Sequence, residues 1–283
     1  MKMLVTGATG KLGAKVVETL LKTVPASQLA VSVRNPEKAK GLKARGVEIR
    51  LGDFDRPETL DSAFAGINRL LIISTDGDNE TRVRQHTNAV EAAQRAKVEF
   101  IAYTSATNAQ ESSLFLAVVH RATEEAIIKT GIPYSFLRNN WYLENEISNI
   151  QGAKAGHPWV TSAGSGKVGW ALQQDYADAA AAVLSGSGHE NTIYELGGSL
   201  LTQEELASVV GSVLGIEVPV LQVDDAKYGE IMKSADVPDF VIPILEGIQQ
   251  GIRDGALEIE SKDLEKLLGR PATPISEGLK SII

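Results

Sequence analysis

The 283-residue sequence predicts an α/β fold with a doubly wound parallel sheet. Strand-like and helix-like segments alternate through the first half, as they do in a chain that builds a parallel sheet with helices on both faces. One segment, Leu70–Ser74, is apolar almost throughout, which is typical of a central strand buried on both sides. A third observation is a run of glycines between the first apolar segment and the first amphipathic one.

The first predicted strand ends at three glycines spaced three residues apart, Gly7, Gly10 and Gly13. In this order they allow a tight turn, a close approach of the backbone to a phosphate, and close packing of the next helix on the sheet. The spacing G-x-x-G-x-x-G differs from the common G-x-G-x-x-G fingerprint and does not match a P-loop. A strand, a glycine turn and a helix in this order present N–H groups to a pyrophosphate. The candidate cofactor contacts here are Gly7, Thr9, Gly10, Lys11 and Leu12.

The other strands and helices of the first half follow in regular alternation. Apolar residues at helical spacing predict a first helix over 11–23 and further helices near 57–65, 82–97 and 118–130. Short apolar runs predict the second to sixth strands at 29–33, 47–51, 70–74, 100–104 and 134–137. A sheet of this kind binds its ligands at the carboxyl ends of the strands.

The second half is less regular and predicts a smaller, mostly helical lobe over residues 141–283, covering the cleft of a nucleotide-binding domain over residues 1–140. Thr202 and Glu205 form a capping-box pattern that starts a helix. A glycine- and serine-rich turn at 161–166 separates short strands, and residues 192–197 are expected to return to the sheet. The other predicted helices cover 175–184, 224–235, 239–253 and 275–282.

The composition excludes several classes of function. Acidic residues outnumber basic ones by 36 to 28 and no basic cluster occurs, which argues against nucleic acid as a ligand. The absence of cysteine excludes disulfides and a cysteine nucleophile. The four histidines lack metal-ligand spacing and no G-x-S-x-G elbow occurs, so we expect neither a metal site nor a serine hydrolase. We also expect no membrane span and no signal peptide, and therefore a cytoplasmic protein.

The residue that follows the second predicted strand bears on which dinucleotide is bound. Arg34 lies about 20 residues past the glycine turn, where sites selective for NAD usually place a carboxylate. An arginine there can bind a 2′-phosphate, and Lys38 lies one helical turn further on. Arg34 therefore favours NADP(H), and its alternative role is that of a solvated residue at a strand end. Asp53 and Phe54 are expected beside the adenine, or are ordinary loop residues.

Three segments together, Thr6–Gly13, Val33–Asn35 and Ile132–Asn139, resemble the NmrA-like atypical short-chain dehydrogenases. The similarity extends over nearly the whole chain and is strongest to the bacterial quinone reductase and triphenylmethane reductase branch. The resemblance implies a Rossmann domain, NADPH as cofactor and a quinone-like acceptor, and it leaves a homodimer open. Some members of the family only bind NADP and regulate partners, so a non-catalytic NADP(H) sensor is the alternative.

Ordinary short-chain dehydrogenases carry Tyr-x-x-x-Lys, whose lysine helps the tyrosine to donate a proton. None of the six tyrosines has a lysine four residues later. A quinone tolerates this absence because its ring already accepts a hydride readily, and the protein then supplies mainly orientation. His120 is the candidate acid, since by resemblance it stands where related ether reductases carry a lysine. Its alternative role is that of a hydrogen-bonded helix residue, and an ether or imine reductase would need it as the acid.

The remaining candidate residues lie at the ends of later predicted strands or at the junction between the two halves. Hydroxyl and carboxamide groups at strand ends face a cofactor in this topology. Aromatic side chains at the junction could form a wall for a planar acceptor, or belong to the core. By resemblance Lys167 reaches toward the cofactor, and its alternative role is that of a solvated turn residue. The cofactor candidates are Ser74, Thr75, Thr104, Ser105, Asn139, Asn140 and Lys167, and the acceptor candidates are Phe115, Trp141 and Tyr142.

Overall fold

A computed structural model describes residues 1–283 and contains one seven-stranded sheet and two small strand pairs. The large sheet is parallel throughout and has the strand order β3-β2-β1-β4-β5-β6-β9. The order reverses at β1, which confirms the predicted doubly wound fold. The strands are β1 (Met3–Thr6), β2 (Leu29–Val33), β3 (Glu48–Leu51), β4 (Arg69–Ile72), β5 (Phe100–Ala106), β6 (Tyr134–Asn139), β7 (Trp159–Thr161), β8 (Lys167–Val168), β9 (Thr192–Leu196), β10 (Leu201–Thr202) and β11 (Val220–Gln222).

Twelve α-helices connect and cover these strands. Three of them, each of five to eight residues, have no counterpart among the predicted helices. None of the helices is both long and apolar enough to cross a lipid bilayer. They are α1 (Lys11–Leu20), α2 (Lys40–Ala44), α3 (Glu58–Phe64), α4 (Asn79–Arg95), α5 (Ala117–Thr130), α6 (Ile147–Lys154), α7 (Gln173–Ser185), α8 (Gln203–Leu214), α9 (Asp225–Ser234), α10 (Ile242–Arg253), α11 (Asp263–Leu268) and α12 (Ile275–Ile282).

Two apolar layers cover the two faces of the large sheet. Successive residues of a strand point to opposite faces, so Val5 packs in the layer of α1 and α7, while Leu4 packs in the layer of α3, α4 and α5. In the first layer Val16 and Val17 of α1 are completely buried, as the apolar stripe of that helix predicts. The helices cover the two faces of the sheet and leave the carboxyl ends of its strands accessible.

The second half contributes both to the sheet and to a separate apolar cluster. Helix α7 packs beside α1, and β9 is the seventh strand, so residues 173–196 belong to the sheet and its covering layer. A third apolar cluster, centred on Trp159, Trp170 and Leu206, joins the small strand pairs to α8, α10 and α12. Thr202 and Glu205 form the predicted capping box at the start of α8.

Candidate functional site

One large cavity, of about 750 Å³, opens at the carboxyl ends of the parallel strands. Its walls come from the turns after β1, β2, β3 and β4, and from residues that follow β6. This is the position at which an open α/β sheet binds a nucleotide, next to the strand where the order reverses. The lining residues are Thr6, Gly7, Thr9–Gly13, Ser32–Asn35, Lys38, Gly52–Phe54, Ile73–Asp76, Gln85, Tyr142, Asn145 and Gln173.

The glycine turn presents free backbone donors to this cavity. Gly7 has a φ of +61°, a left-handed conformation that favours glycine, and its carbonyl accepts a hydrogen bond from the Gly10 N–H at 2.9 Å. No side chain caps the start of α1, and the N–H groups of Lys11 and Leu12 donate to no protein atom. Free donors at a helix N-terminus form a binding site for a phosphate group. The turn therefore fits the pyrophosphate of a dinucleotide.

Two cationic side chains line the cavity where β2 ends. Arg34 and Lys38 have no carboxylate within 4 Å and form no ion pair, so both charges are free to meet a ligand. Across the cavity, Asp53 is held by Arg56, whose Nε donates to Asp53 Oδ2 at 3.2 Å, and Phe54 is largely buried. This end of the cavity offers a cationic pocket beside an aromatic ring, which fits an adenosine 2′-phosphate.

Three buried side chains hold the backbone of the loop that follows β4. Thr6 Oγ1 accepts the Ile73 N–H, and Thr104 Oγ1 accepts the Ser74 N–H, both at 2.9 Å. His86 Nε2 accepts the Thr75 N–H, also at 2.9 Å. Ser74 and Thr75 line the cavity as residues of this loop. Thr104 does not line the cavity and contacts the loop through its hydrogen bond to the Ser74 N–H. The position of Thr6 directly before the glycine turn could have marked it as a site residue in the sequence. No sequence pattern marks His86 in this way.

The hydrogen bonds of His86 define its protonation state. Its Nε2 accepts a hydrogen bond from the Thr75 N–H, so its Nδ1 carries the hydrogen and donates to Thr123 Oγ1 at 2.8 Å. The Thr123 hydroxyl in turn donates to the Val119 carbonyl. Burial, followed by the nearby charge of Arg82, lowers the pKa of His86 to about 3. His86 is therefore neutral at physiological pH and acts as a fixed link between α4, α5 and the cavity loop.

His120 lies in the first turn of α5, only 5% exposed, and does not line the cavity. Its Nδ1 lies 2.9 Å from the Tyr103 hydroxyl, and its Nε2 lies 3.4 Å from the Arg82 guanidinium. Burial, then the charges of Arg82 and neighbouring His86, lower its pKa to about 3. The imidazole is therefore neutral and in contact with Tyr103 and Arg82, an arrangement that favours the role of a hydrogen-bonded helix residue over that of an acid.

Ser105 belongs to a buried ion cluster at the ends of β5, β6 and β9. Its Oγ donates to Glu124 Oε1 at 2.7 Å. Arg138 binds both oxygens of Glu124, at 2.9 and 2.7 Å, and also reaches Glu195 at 3.0 Å. Burial opposes the charge of Arg138, but the hydrogen bonds and charges of the two glutamates raise its pKa. Ser105 thus bonds within this ion cluster and is not among the residues that line the cavity.

Asn139 and Asn140, at the end of β6, have different surroundings. Asn139 Nδ2 donates to the Tyr142 hydroxyl at 3.0 Å, and its Oδ1 is buried without a partner. Asn140 Nδ2 donates to the Leu257 carbonyl at 2.9 Å, and its Oδ1 accepts the Trp141 N–H. Asn140 therefore links the strand end to the second half of the chain, while Tyr142 itself lines the cavity.

Three other candidates also lie outside the cavity lining. Phe115 is 42% exposed, and its carbonyl accepts a hydrogen bond from Asn79. Trp141 is half-buried against the third apolar cluster. Lys167 pairs with Thr202 in the strand pair β8–β10 and is not a turn residue. The cavity is also lined by polar residues that no sequence pattern had indicated. They are Asp76, Gln85, Asn145 and Gln173.

Comparisons with known proteins agree with this geometry. The model of the NmrA-like family matches residues 1–262. Quinone oxidoreductase 2 of Escherichia coli is 40% identical over 279 residues, which span 98% of this chain and 97% of that protein. The crystal structure of the NADPH-dependent quinone oxidoreductase from Escherichia coli in complex with NADPH has a TM-score of 0.95 at 40% identity, covering 99% of both chains. Triphenylmethane reductase of Citrobacter sp., in complex with NADP(H), has a TM-score of 0.93 at 42% identity and covers 100% of both.

Proposed function

The chain belongs to the NmrA-like family, and we propose that it is an NADPH-dependent reductase that transfers a hydride to a quinone or a similar conjugated acceptor. The observation that carries this proposal is the composition of the cavity. A glycine turn with free amides lies beside two unpaired cations at the end of β2, and together they match a pyrophosphate and a 2′-phosphate.

The residues of the chain bind and orient the cofactor. Bound NADPH supplies the hydride. The N–H groups of the first turn of α1 bind the pyrophosphate, and Arg34 with Lys38 binds the 2′-phosphate. The loop Ile73–Asp76 is held rigidly by Thr6, Thr104 and His86, so it can fix the position of the cofactor along the cavity.

The acceptor supplies most of the reactivity. No Tyr-x-x-x-Lys pair occurs in the chain, and the buried, neutral His120 is not directed into the cavity. An electrophilic ring needs little acid catalysis, because the negative charge of the product is delocalised. We therefore favour quinones and related conjugated acceptors over simple ketones. We also propose that the protein acts in the cytoplasm.

A turnover assay tests this proposal directly. Purified protein and NADPH are mixed with a quinone, a triarylmethane dye or a simple ketone, and the loss of nicotinamide absorbance is followed. We expect turnover with the quinone, little with the ketone, and a preference for NADPH over NADH. Tight binding of NADP⁺ without turnover of any acceptor would contradict the proposal and would support the alternative, a non-catalytic redox sensor.

A further inference from the structure

The hydroxyl hydrogen of Tyr142 makes no hydrogen bond within the protein. Its oxygen accepts a hydrogen bond from Asn139 Nδ2 at 3.0 Å, and the hydroxyl donates to no protein atom. A buried or half-buried tyrosine usually directs its O–H toward a partner. Tyr142 lines the large cavity, so a ligand in that cavity is the partner available to it.

Tyr142 lies at the end of the cavity away from the cationic pocket. It follows β6, whereas Arg34 follows β2, and the order of strands between them is β2-β1-β4-β5-β6. Four strand spacings place β2 and β6 roughly 19 Å apart. A dinucleotide whose 2′-phosphate is held at Arg34 therefore extends toward Tyr142, and the acceptor must lie near the reactive end of that dinucleotide.

We propose that Tyr142 donates a hydrogen bond to the acceptor oxygen that becomes negatively charged during reduction, and that Asn139 holds the tyrosine in place. This inference rests on the proposed function. Hydride addition converts a quinone into the anion of its hydroquinone while NADPH becomes NADP⁺. Solvent then supplies one proton to give the hydroquinone, and Tyr142 keeps its own proton throughout.

The surroundings of Tyr142 support a donor role and not a role as a base. Burial raises its pKa to about 12, against the opposing effect of the hydrogen bond from Asn139. The hydroxyl therefore stays protonated at neutral pH. The ring packs edge-on against Tyr176 at 5.1 Å between centroids, which fixes its orientation. A preorganised donor aimed at a developing anion stabilises a transition state strongly, because it needs no reorganisation.

The test compares two acceptors that differ in whether hydride transfer creates a negative charge on oxygen. Hydride transfer to a quinone creates an oxyanion, whereas transfer to a triarylmethane cation gives a neutral product with no new charge on oxygen. The substitution Tyr142→Phe removes the donor and keeps the ring. We expect the ratio of quinone kcat to dye kcat to fall at least tenfold, and by about 100-fold if Tyr142 behaves as a typical oxyanion-hole donor.

A matched control and a binding measurement complete the design. Tyr176→Phe removes a hydroxyl from the same aromatic pair, but Tyr176 does not line the cavity and bonds only weakly to the Gly169 carbonyl, at 3.5 Å. We expect this variant to keep the quinone-to-dye ratio. Binding of 4-nitrophenolate to the NADP⁺ complex, followed by its absorbance, measures recognition of a phenolate without turnover. We expect Tyr142→Phe to weaken this binding at least tenfold and Tyr176→Phe to leave it unchanged.

The outcomes separate this inference from the proposed function. A wild-type protein that reduces neither acceptor contradicts the proposed function. A wild-type protein that reduces quinones, together with a Tyr142→Phe variant that binds nitrophenolate as tightly as the wild type, overturns only the role of Tyr142. An equal loss of quinone and dye turnover would also overturn it, because such a loss indicates a damaged site and not a missing donor.

Discussion

Gly13 faces the carbonyl oxygen of Gly7 so closely that a Cβ on Gly13 would lie 2.2 Å from that oxygen. The start of α1 can therefore approach the turn after β1 only when residue 13 has no side chain. The same approach brings the free N–H groups of the first turn to the mouth of the cavity. The packing of one helix on one strand thus creates the surface of free N–H groups that we propose binds the pyrophosphate.

The substitution Gly13→Ala tests this relationship. We expect it to lower the free energy of unfolding by about 2 kcal/mol, because the overpacked turn must shift, and to weaken NADPH binding. Urea unfolding and fluorescence titration with NADPH measure the two effects. Gly41→Ala is the control, since Gly41 lies in α2 with no atom within 4 Å of the added Cβ and should gain stability slightly. Unchanged NADPH binding in Gly13→Ala would show that the turn does not hold the cofactor.

The charge of Arg34 is expected to select the cofactor. Arg34→Asp replaces a free cation in the cavity with an anion, which repels a 2′-phosphate and accepts from a ribose hydroxyl. We expect NADPH affinity to fall roughly tenfold to 100-fold, as for the loss of a charged hydrogen bond, and NADH affinity to rise. Arg45→Asp makes the same charge change on an exposed side chain outside the cavity and should leave the preference intact. A similar loss in both variants would indicate only a general effect of net charge.

The two buried histidines are expected to make the fold sensitive to mild acid. The pKa values of His86 and His120 fall from 6.5 to about 3 in the folded chain. Below pH 6.5 the unfolded chain therefore binds protons that the folded chain excludes. Their contribution to stability is fully present above pH 6.5 and decreases as the pH falls toward 3, by at most about 1.4 kcal/mol per pH unit for each histidine.

Urea unfolding of the wild type and of His120→Gln between pH 7 and pH 5 measures this effect. The variant lacks one of the two buried histidines with strongly lowered pKa values, so its stability should decrease less steeply with falling pH, whatever its stability at pH 7. Parallel pH dependences for the two proteins would contradict the depressed pKa of His120. A pH profile of kcat that reports no group near pH 6.5 would agree with two imidazoles that stay neutral.

The sequence predicted the elements that are coded by local patterns. Alternating apolar runs and helical periods predicted the parallel sheet, and the structure confirms it. The glycine turn and Arg34 were predicted from their short spacing from the first strand, and both line the cavity. The short helices α2, α6 and α11 were not predicted, although α3 and α12, of seven and eight residues, were.

Several contacts at the site were decided only by the tertiary structure. His86 reaches the amide of Thr75 from α4, and Arg138 meets Glu124 of α5 and Glu195 of β9, so residues distant in the chain become partners. The sequence also could not indicate that Thr104 and Ser105 do not line the cavity. Thr104 instead accepts a hydrogen bond from the Ser74 N–H, and Ser105 donates one to Glu124.

The sequence by itself thus determined the type of fold and the place of the glycine turn, because both follow from periodicity and spacing over short stretches of the chain. Which polar groups face the cavity was decided by the packing of α4, α5 and the second half of the chain against the strand ends. Tyr142 illustrates the difference. Its aromatic ring was predicted to contact an acceptor. That its hydroxyl oxygen accepts a hydrogen bond from Asn139, which leaves the hydroxyl hydrogen for another partner, is seen only in the folded chain.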